Sequence, residues 1–443
     1  MKRSVCLFLI VVLVVTISAC GPKTNQENNS KVTDGVEEIT AESYDFPDFY
    51  LKDPGEYFKG VLMKNDMISR ANIEKGLPDL GTIKKDITVG FVTNSMENAY
   101  FILVEKTCRE IIESYGYTFK TVVYNFEVSK MVAAIEDYIT MGVDCILLDP
   151  SDMASATVAV EKAAEAGIPT IAIGQPVPSD SAIVTSIYPA FFDIAYEIAY
   201  KMTKEKFSDL DQEMIICNIM AASTWHTWGV AYMAGAYSAR MEMAGSPVEK
   251  LDSVLTCYDY YNTFFSKGKV EIPEANMRFP AYYTDAGWTQ TGGMAGAEAM
   301  ISAAPDLNCI FSVPNDFMAA GAIQALENNG YKPGEDVIII ASNDGSTQGI
   351  ELIRDGKLYA TDNVAPELMA RSACELIHAI FEEGYDANDL CAQTLLEPDI
   401  ITKENWEMYY DSTKDFAVTP ADKKVTFKTT QQVFKEFLEK RSN

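Results

Sequence analysis

From Asp86 to about residue 400 the chain alternates short, apolar, β-prone runs with longer stretches that are apolar every third or fourth residue. Ile87-Thr88-Val89-Gly90-Phe91-Val92 reads as a strand. Residues 98–115 read as a helix with Phe101, Val104, Cys108, Ile111 and Tyr115 on one face. Further strands are expected at 118–124, 145–148 and 168–173. The helices between them, 130–141 and 154–166, are stopped by Gly142 and Gly167. Strands apolar along their whole length and separated by single helices form a parallel sheet covered on both faces. The rhythm breaks at Pro189 and restarts. Helices are expected at 191–206, 229–244, 291–303, 316–328 and 367–382, with a short one ending near Arg354, and strands at 214–220, 251–257, 309–313, 337–341 and 358–363. The fold class is therefore α/β, with two doubly wound parallel-sheet lobes in sequence.

The flanks carry different information. Met1-Lys2-Arg3 is cationic, 6–17 is nearly unbroken apolar sequence, and Ile17-Ser18-Ala19 supplies small residues. This is the layout of a secretory signal over residues 1–19, about half as long as the ~20 apolar residues that span a bilayer. Ile17-Ser18-Ala19-Cys20-Gly21 resembles the bacterial lipoprotein signal, which implies lipidation of Cys20. Ordinary cleavage near Ala19 is the alternative. Residues 20–41 are polar and read as a flexible spacer. The expected division is then an extension at 42–85, a first lobe at 86–188 plus 364–400, a second lobe at 189–363, and a tail at 401–443 packed on the lobes. That tail carries Trp406, Tyr409 and Tyr410 and ends in a helix at 430–440.

Composition excludes several classes. A net charge of −28 over 443 residues repels phosphate backbones, so no nucleic-acid partner is expected. Cys108, Cys145, Cys217, Cys257, Cys309, Cys374 and Cys391 are odd in number and widely spaced, and they read as small buried apolar residues rather than a disulfide framework. The two histidines, His226 and His378, form no catalytic or metal motif, and neither a Walker loop nor a Gly-x-Ser-x-Gly elbow occurs. No catalytic residue, metal or cofactor is expected.

Four loops carry a resemblance. Asn94-Ser95-Met96-Glu97-Asn98-Ala99-Tyr100-Phe101 follows the first strand, and Asp149-Pro150-Ser151-Asp152 the third. Ser312-Val313-Pro314-Asn315-Asp316 precedes an Ala-rich helix. Asn343-Asp344-Gly345 precedes Asp355-Gly356-Lys357-Leu358 and the Ala360-Thr361 strand. Their order and spacing resemble the periplasmic sugar-binding proteins of the ribose-binding type, the substrate receptors of ABC importers. The resemblance covers about 87–405. It implies a type I periplasmic binding protein fold with three hinge strands, closure around a small solute in an interlobe cleft, and delivery to an ABC permease.

Ligand contacts are then expected from Asn94, Ser95, Tyr100, Phe101, Gln175, Trp225, His226, Trp228, Asn315, Asp344 and Asn363. Aromatic faces would stack on a ring and amides would fix hydroxyls. At the second-lobe helix, Asp316 is expected to cap and Asn315 to face the ligand. Trp225 and Trp228 can alternatively pack between elements. The chain departs from the family where an Asp-Arg pair is frequent: Gly174-Gln175 stands there, and the Trp225 to Trp228 cluster stands where an Arg is common. That leaves a sugar, a deoxy sugar or a nucleoside-like ring open. A solute-sensing subunit for a membrane kinase is the rival to an importer receptor. The expected location is exported, anchored by lipid to the outer face of the cell membrane.

Overall fold

The computed structural model describes residues 39–51, 60–72, 77–78, 80, 83–151, 153–221, 228–397, 399–420 and 422–442. All but Ile39 belong to one unit, Thr40–Asn443. The signal segment, Cys20, Trp225 and His226 lie outside the described residues.

After a short helix α1 (Lys64–Met67), the first lobe runs β1 (Thr88–Thr93), α2 (Ala99–Ser114), β2 (Thr118–Val123), α3 (Val128–Met141), β3 (Cys145–Leu148), α4 (Met153–Glu165), β4 (Thr170–Ile173) and β5 (Thr185–Pro189). The second lobe follows as α5 (Phe191–Lys206), β6 (Met214–Met220), α6 (Gly229–Met243), α7 (Lys250–Lys267), β7 (Val270–Ile272), β8 (Met277–Tyr283), α8 (Gln290–Ala303), β9 (Cys309–Val313), α9 (Asp316–Asn328), β10 (Ile338–Ile340) and α10 (Thr347–Arg354). The chain returns through β11 (Ala360–Asp362), α11 (Pro366–Glu382), β12 (Gln393–Leu396), β13 (Ile400–Thr402) and α12 (Thr430–Ser442).

The first sheet has the order β12-β5-β4-β3-β1-β2, and every pairing is parallel. Its inner strands β3 and β4 are buried at every position. Helices α2 and α11 cover one face, where Val104, Cys108 and Ile112 meet Met369, Ala373 and Ile377 over Phe91 and Leu147. Helices α3 and α4 cover the other. The second sheet has the order β10-β9-β6-β8-β7, parallel except for β7 at its edge. Side chains of β6 alternate between the core under α5, α6 and α7 and the core under α8 and α9, which makes the strand buried throughout and apolar at every position but Asn218. Burying each Phe, Met or Ile of these cores stabilises the fold by about 1.5–3 kcal/mol. Strands β11 and β13 pair antiparallel as a separate ribbon, Ala360 opposite Thr402, and join the two halves.

The strand expected at 251–257 is instead part of α7. Val254, Cys257, Tyr261 and Phe264 are fully buried at helical spacing, and Gly268 ends the helix in the left-handed conformation at φ +78°. The strand beside β6 on the side away from β9 is β8, which the sequence reading does not foresee. The seven cysteines from Cys108 onward are buried and free. No helix among the described residues is long and apolar enough to cross a membrane.

The segments outside the sheets pack together. Phe46, Met67, Val433, Phe434 and Phe437 form a fifth apolar cluster with Cys391. Buried Arg70 donates to the carbonyls of Ser179, Ser181 and Ile183 and so pins the early segment to the loop between β4 and β5.

Candidate functional site

In each sheet the strand order reverses beside the first strand of the lobe. The switch points lie between β1 and β3 and between β6 and β9. Crevices beyond the carboxyl ends of strands at such points are where open α/β sheets hold ligands.

On the first lobe, Asn98 caps α2 by accepting from Tyr100 N at 2.8 Å. Asn94 is buried and spent internally. Its Nδ2 donates to the Asp149 carbonyl at 3.1 Å, and the Tyr124 hydroxyl lies 2.5 Å from Asn94 Oδ1 and 2.8 Å from that same carbonyl oxygen. Asn94 therefore positions the loop after β3. Ser95 Oγ accepts from Glu97 N at 3.0 Å and sets the turn.

Tyr100 reaches across to Gly174, which follows β4 at φ +82°. A β-carbon at Gly174 would stand 2.7 Å from the Tyr100 hydroxyl and 3.4 Å from Asp149 Oδ1. The missing side chain at Gly174 is therefore what makes room for the phenol. Burial, then the charge of Asp149, Cys108 and Asp344, holds the Tyr100 hydroxyl well above its ordinary pKa. Phe101 is half-buried beside it, ring centroids 5.1 Å apart and edge-on. Gln175 follows Gly174 and is half-buried.

On the second lobe the cap expected at the α9 terminus moves from Asp316 to the residue before it. Asn315, not Asp316, is the cap: its Oδ1 accepts from Met318 N at 3.0 Å. Its Nδ2 donates to Asp344 Oδ2 at 2.6 Å, and Asp316 N donates to the same oxygen at 2.9 Å. The Asp316 carboxylate is a hub beneath the loop. It accepts from Ser346 N at 2.8 Å, Ser346 Oγ at 3.0 Å and Thr361 Oγ1 at 2.5 Å. The physical reason for the move is reach: the cap side chain sits one residue before the helix, and Asn315 is there in extended conformation at φ −168°. Asn363 Oδ1 accepts from Ala365 N at 2.9 Å, and its Nδ2 donates to Thr419 Oγ1 at 3.3 Å. Trp228 is buried against Phe191, ring centroids 4.5 Å apart, within the second-lobe core.

The lobes meet at their rims. The Phe126 and Trp288 rings, from the loops after β2 and β8, lie parallel with centroids 6.4 Å apart. Phe101 abuts Phe126 at 5.9 Å. Phe126 and Trp288 hold φ values of +58° and +55°, which costs bulky residues energy and is the kind of strain found at ligand clamps. Neither residue was singled out from the sequence, and nothing local in either loop marks it.

At the strand ends, polar atoms are left over. The buried oxygens Thr93 Oγ1, Asp149 Oδ2, Ser151 Oγ, Asn343 Oδ1 and Asp362 Oδ2 have no hydrogen-bond partner among the described residues. All stand at or just beyond the carboxyl ends of strands β1, β3, β10 and β11. An unmet buried polar atom costs about 1–3 kcal/mol, a deficit that ligand hydroxyls or amides can relieve. The sequence places Asp149 only in the loop after the third strand.

Burial pushes Asp149 up to about 8 against the opposing effect of Asn94. It also raises Asp362 to about 7 and Asp316 to about 6. Asp344 is raised by burial first and then by the charge of Asp316. A carboxyl whose folded pKa exceeds its unfolded value near 3.9 binds an extra proton in the folded state between the two values. Its contribution to stability is complete below about pH 4 and is lost as pH rises through the folded pKa. The ligand-free protein is therefore expected to lose stability between pH 4 and 8. Asp149→Asn mimics the protonated form, so its stability relative to the parent should grow between pH 5 and pH 8 by more than the ~1.4 kcal/mol of one pKa unit. Urea midpoints at the two pH values check this. Parallel changes in both proteins would contradict the assignment.

Two α/β lobes with facing switch-point loops, an antiparallel ribbon between them and a polar, aromatic-rimmed cleft define a binding protein that encloses a small solute. A family model described as a periplasmic binding protein domain matches residues 89–384, and the chain belongs to that family. The family is extracytoplasmic, and its members are substrate-binding proteins of transport. The ribose import binding protein of Bacillus subtilis is 26% identical over 292 residues, covering 66% of this chain and 81% of the relative. Among solved structures, the periplasmic component of the arabinose ABC transporter of Shewanella sp. ANA-3 aligns with a TM-score of 0.55 at 20% identity, covering 72% of this chain and 93% of that one. An ABC transporter solute-binding protein of Bacillus halodurans C-125 with bound myo-inositol aligns at 0.56 and 16% identity, covering 73% and 97%.

Proposed function

We propose that this protein is the extracytoplasmic receptor of an ABC importer, that it captures a sugar or sugar-like ring between its lobes, and that it works by binding alone, without catalysis. The observation that carries the reading is the set of unmet buried oxygens of Thr93, Asp149, Ser151, Asn343 and Asp362 at the carboxyl ends of β1, β3, β10 and β11, with Asp149 and the Tyr100 hydroxyl both against Gly174. A polyhydroxylated ring offers donors to such acceptors and C–H faces to such aromatics. The ribose importer relative supports the same class of ligand. Asn315 and Asp344 fix the second-lobe side of the site, and Gly174 with Tyr100 shapes the first. Cys20 carries the lipid anchor, and the spacer after it gives the body reach to a permease. Closure is a hinge motion about β11 and β13.

Deleting the gene tests the assignment. Uptake of the cognate labelled sugar should fall to background and return with the parent gene but not with Asn315→Asp. Intact uptake with a lost transcriptional response to that sugar would replace the importer reading with a sensory one.

A further inference from the structure

The cleft has a wall that the family's matched region does not contain. After β13 the chain runs back to the second lobe. Thr347 N donates to the Asp415 carbonyl at 2.9 Å, Ala417 N donates to the Gly345 carbonyl at 2.7 Å, and Phe416 forms an isolated antiparallel bridge with Ser346. Thr419 Oγ1 then accepts from Asn363 at the ribbon. Lys423 pairs with Asp399 at 2.5 Å, and Cys391 N donates to the Lys428 carbonyl at 2.9 Å on the first-lobe side. Residues 415–420 thus lie between the loop that carries Asp344 and the hinge, and residues 422–428 between the hinge and the first lobe. The matched family region ends at residue 384.

Phe416 is the residue this path delivers. It is only 4% exposed, yet it belongs to none of the five apolar clusters. Its ring partner is Tyr100 of the opposite lobe, edge-on with centroids 6.4 Å apart. Its backbone is bridged to Ser346, whose N–H and hydroxyl are held by Asp316. A large aromatic side chain buried outside every core and set between Tyr100 and the Asp344 loop has its burial explained by the cleft.

We infer that residues 411–420 are the third wall of the binding site and that Phe416 is a specificity-determining residue which meets the ligand together with Tyr100. Phe416 offers no hydrogen bond, so the ligand edge against it is C–H rather than hydroxyl. The ligand class is a sugar ring with one unhydroxylated edge or face. The ligand part of this inference rests on the sugar-binding reading, while the bridging part does not.

The test has two arms, both on the full chain. Hydrogen exchange is compared between the ligand-free parent, Phe416→Ala and Phe416→Leu. Phe434→Ala, which deletes an aromatic of the α12 cluster, is the control. Removing the ring should raise exchange in both 98–105 and 342–349, with Phe416→Leu intermediate and the control unchanged at these segments. In the second arm, D-ribose, L-arabinose, D-galactose, L-fucose and myo-inositol are titrated into each variant. Phe416→Ala should weaken the best-bound sugar at least tenfold and compress the preference among the five, while the control keeps both. Exchange that rises only in 342–349, or a sugar preference unchanged in Phe416→Ala, overturns the inference. If none of the five binds the parent protein, the sugar-binding reading fails and the exchange arm still decides whether Phe416 bridges the lobes.

Discussion

Replacing Arg240 by Met is expected to cost about 4–5 kcal/mol of stability. Arg240 lies on α6 and is 1% exposed. All five of its N–H groups are used. Nε donates to the Ala275 carbonyl at 2.9 Å, Nη1 to those of Phe207 and Asp209 at 3.0 and 2.9 Å, and Nη2 to those of Leu210 and Gln212 at 2.9 and 3.1 Å. The guanidinium therefore stands in for regular structure between α5 and β6 and before β8. Methionine fills much of the volume but orphans the carbonyls of Ala275, Phe207 and Gln212, each worth about 1–3 kcal/mol where water cannot reach it, while those of Asp209 and Leu210 keep Gln212 N at 3.3 Å and Asn276 Nδ2 at 3.0 Å. Partial hydration at the edge of the loop brings the sum down to the quoted figure, a large share of the 5–15 kcal/mol typical of a folded domain. Arg240→Lys should recover only part of it, because one ammonium cannot reach both ends of the fork. Urea unfolding measures the loss as a lower midpoint at unchanged slope, and a cost below about 1 kcal/mol would contradict this role.

Asn315→Asp is expected to weaken ligand binding at least 100-fold while leaving α9 capped. Aspartate caps helices about as well as asparagine, so the Met318 bond at 3.0 Å survives. The change acts at Asp344 Oδ2, 2.6 Å from the Asn315 amide nitrogen. It replaces a donor with a carboxylate beside a carboxyl already raised by burial and by Asp316. Hydrogen bonds to charged groups are worth about 1.5–3 kcal/mol, and about 1.4 kcal/mol is tenfold in affinity, so the factor corresponds to about one ligand hydrogen bond to Asp344, lost when the substituted carboxylate displaces that side chain. Asn315→Ala separates the contributions by losing the cap as well, at a further ~1 kcal/mol of stability. Calorimetric titration with the best-bound sugar reads the affinity. Equal affinity in parent and Asn315→Asp would remove Asn315 and Asp344 from the site.

The lobes were legible because a parallel sheet forces its strands to be apolar on both faces, and β3, β4, β6 and β9 announce themselves that way. The miss at 251–257 came from the same signal. A short apolar run does not distinguish a strand from a buried helix, and only the continuation to Tyr261 and Phe264 shows the helical period. The loops after β1, β3, β9 and β10 were legible as the cleft, but which of their atoms are free to meet a ligand was not. Asn94 and Ser95 are consumed in holding their own loops, and Asn363 is held between Ala365 and Thr419. Trp228 is packed on Phe191. Gly174 read as a lost side chain, whereas the structure makes it the space that Tyr100 fills. Phe126, Trp288 and Phe416 come from loops far apart in sequence, and only the meeting of the lobes brings their rings together with Phe101 and Tyr100.

A sugar ring bound between the lobes should hold them together. The most direct test is the unfolding free energy of the parent protein with and without each sugar of the panel. At a free concentration 100 times its Kd the cognate sugar should add about 2.7 kcal/mol and lower hydrogen exchange in the loops of both lobes. Stabilisation by no sugar, or protection confined to one lobe, would contradict it.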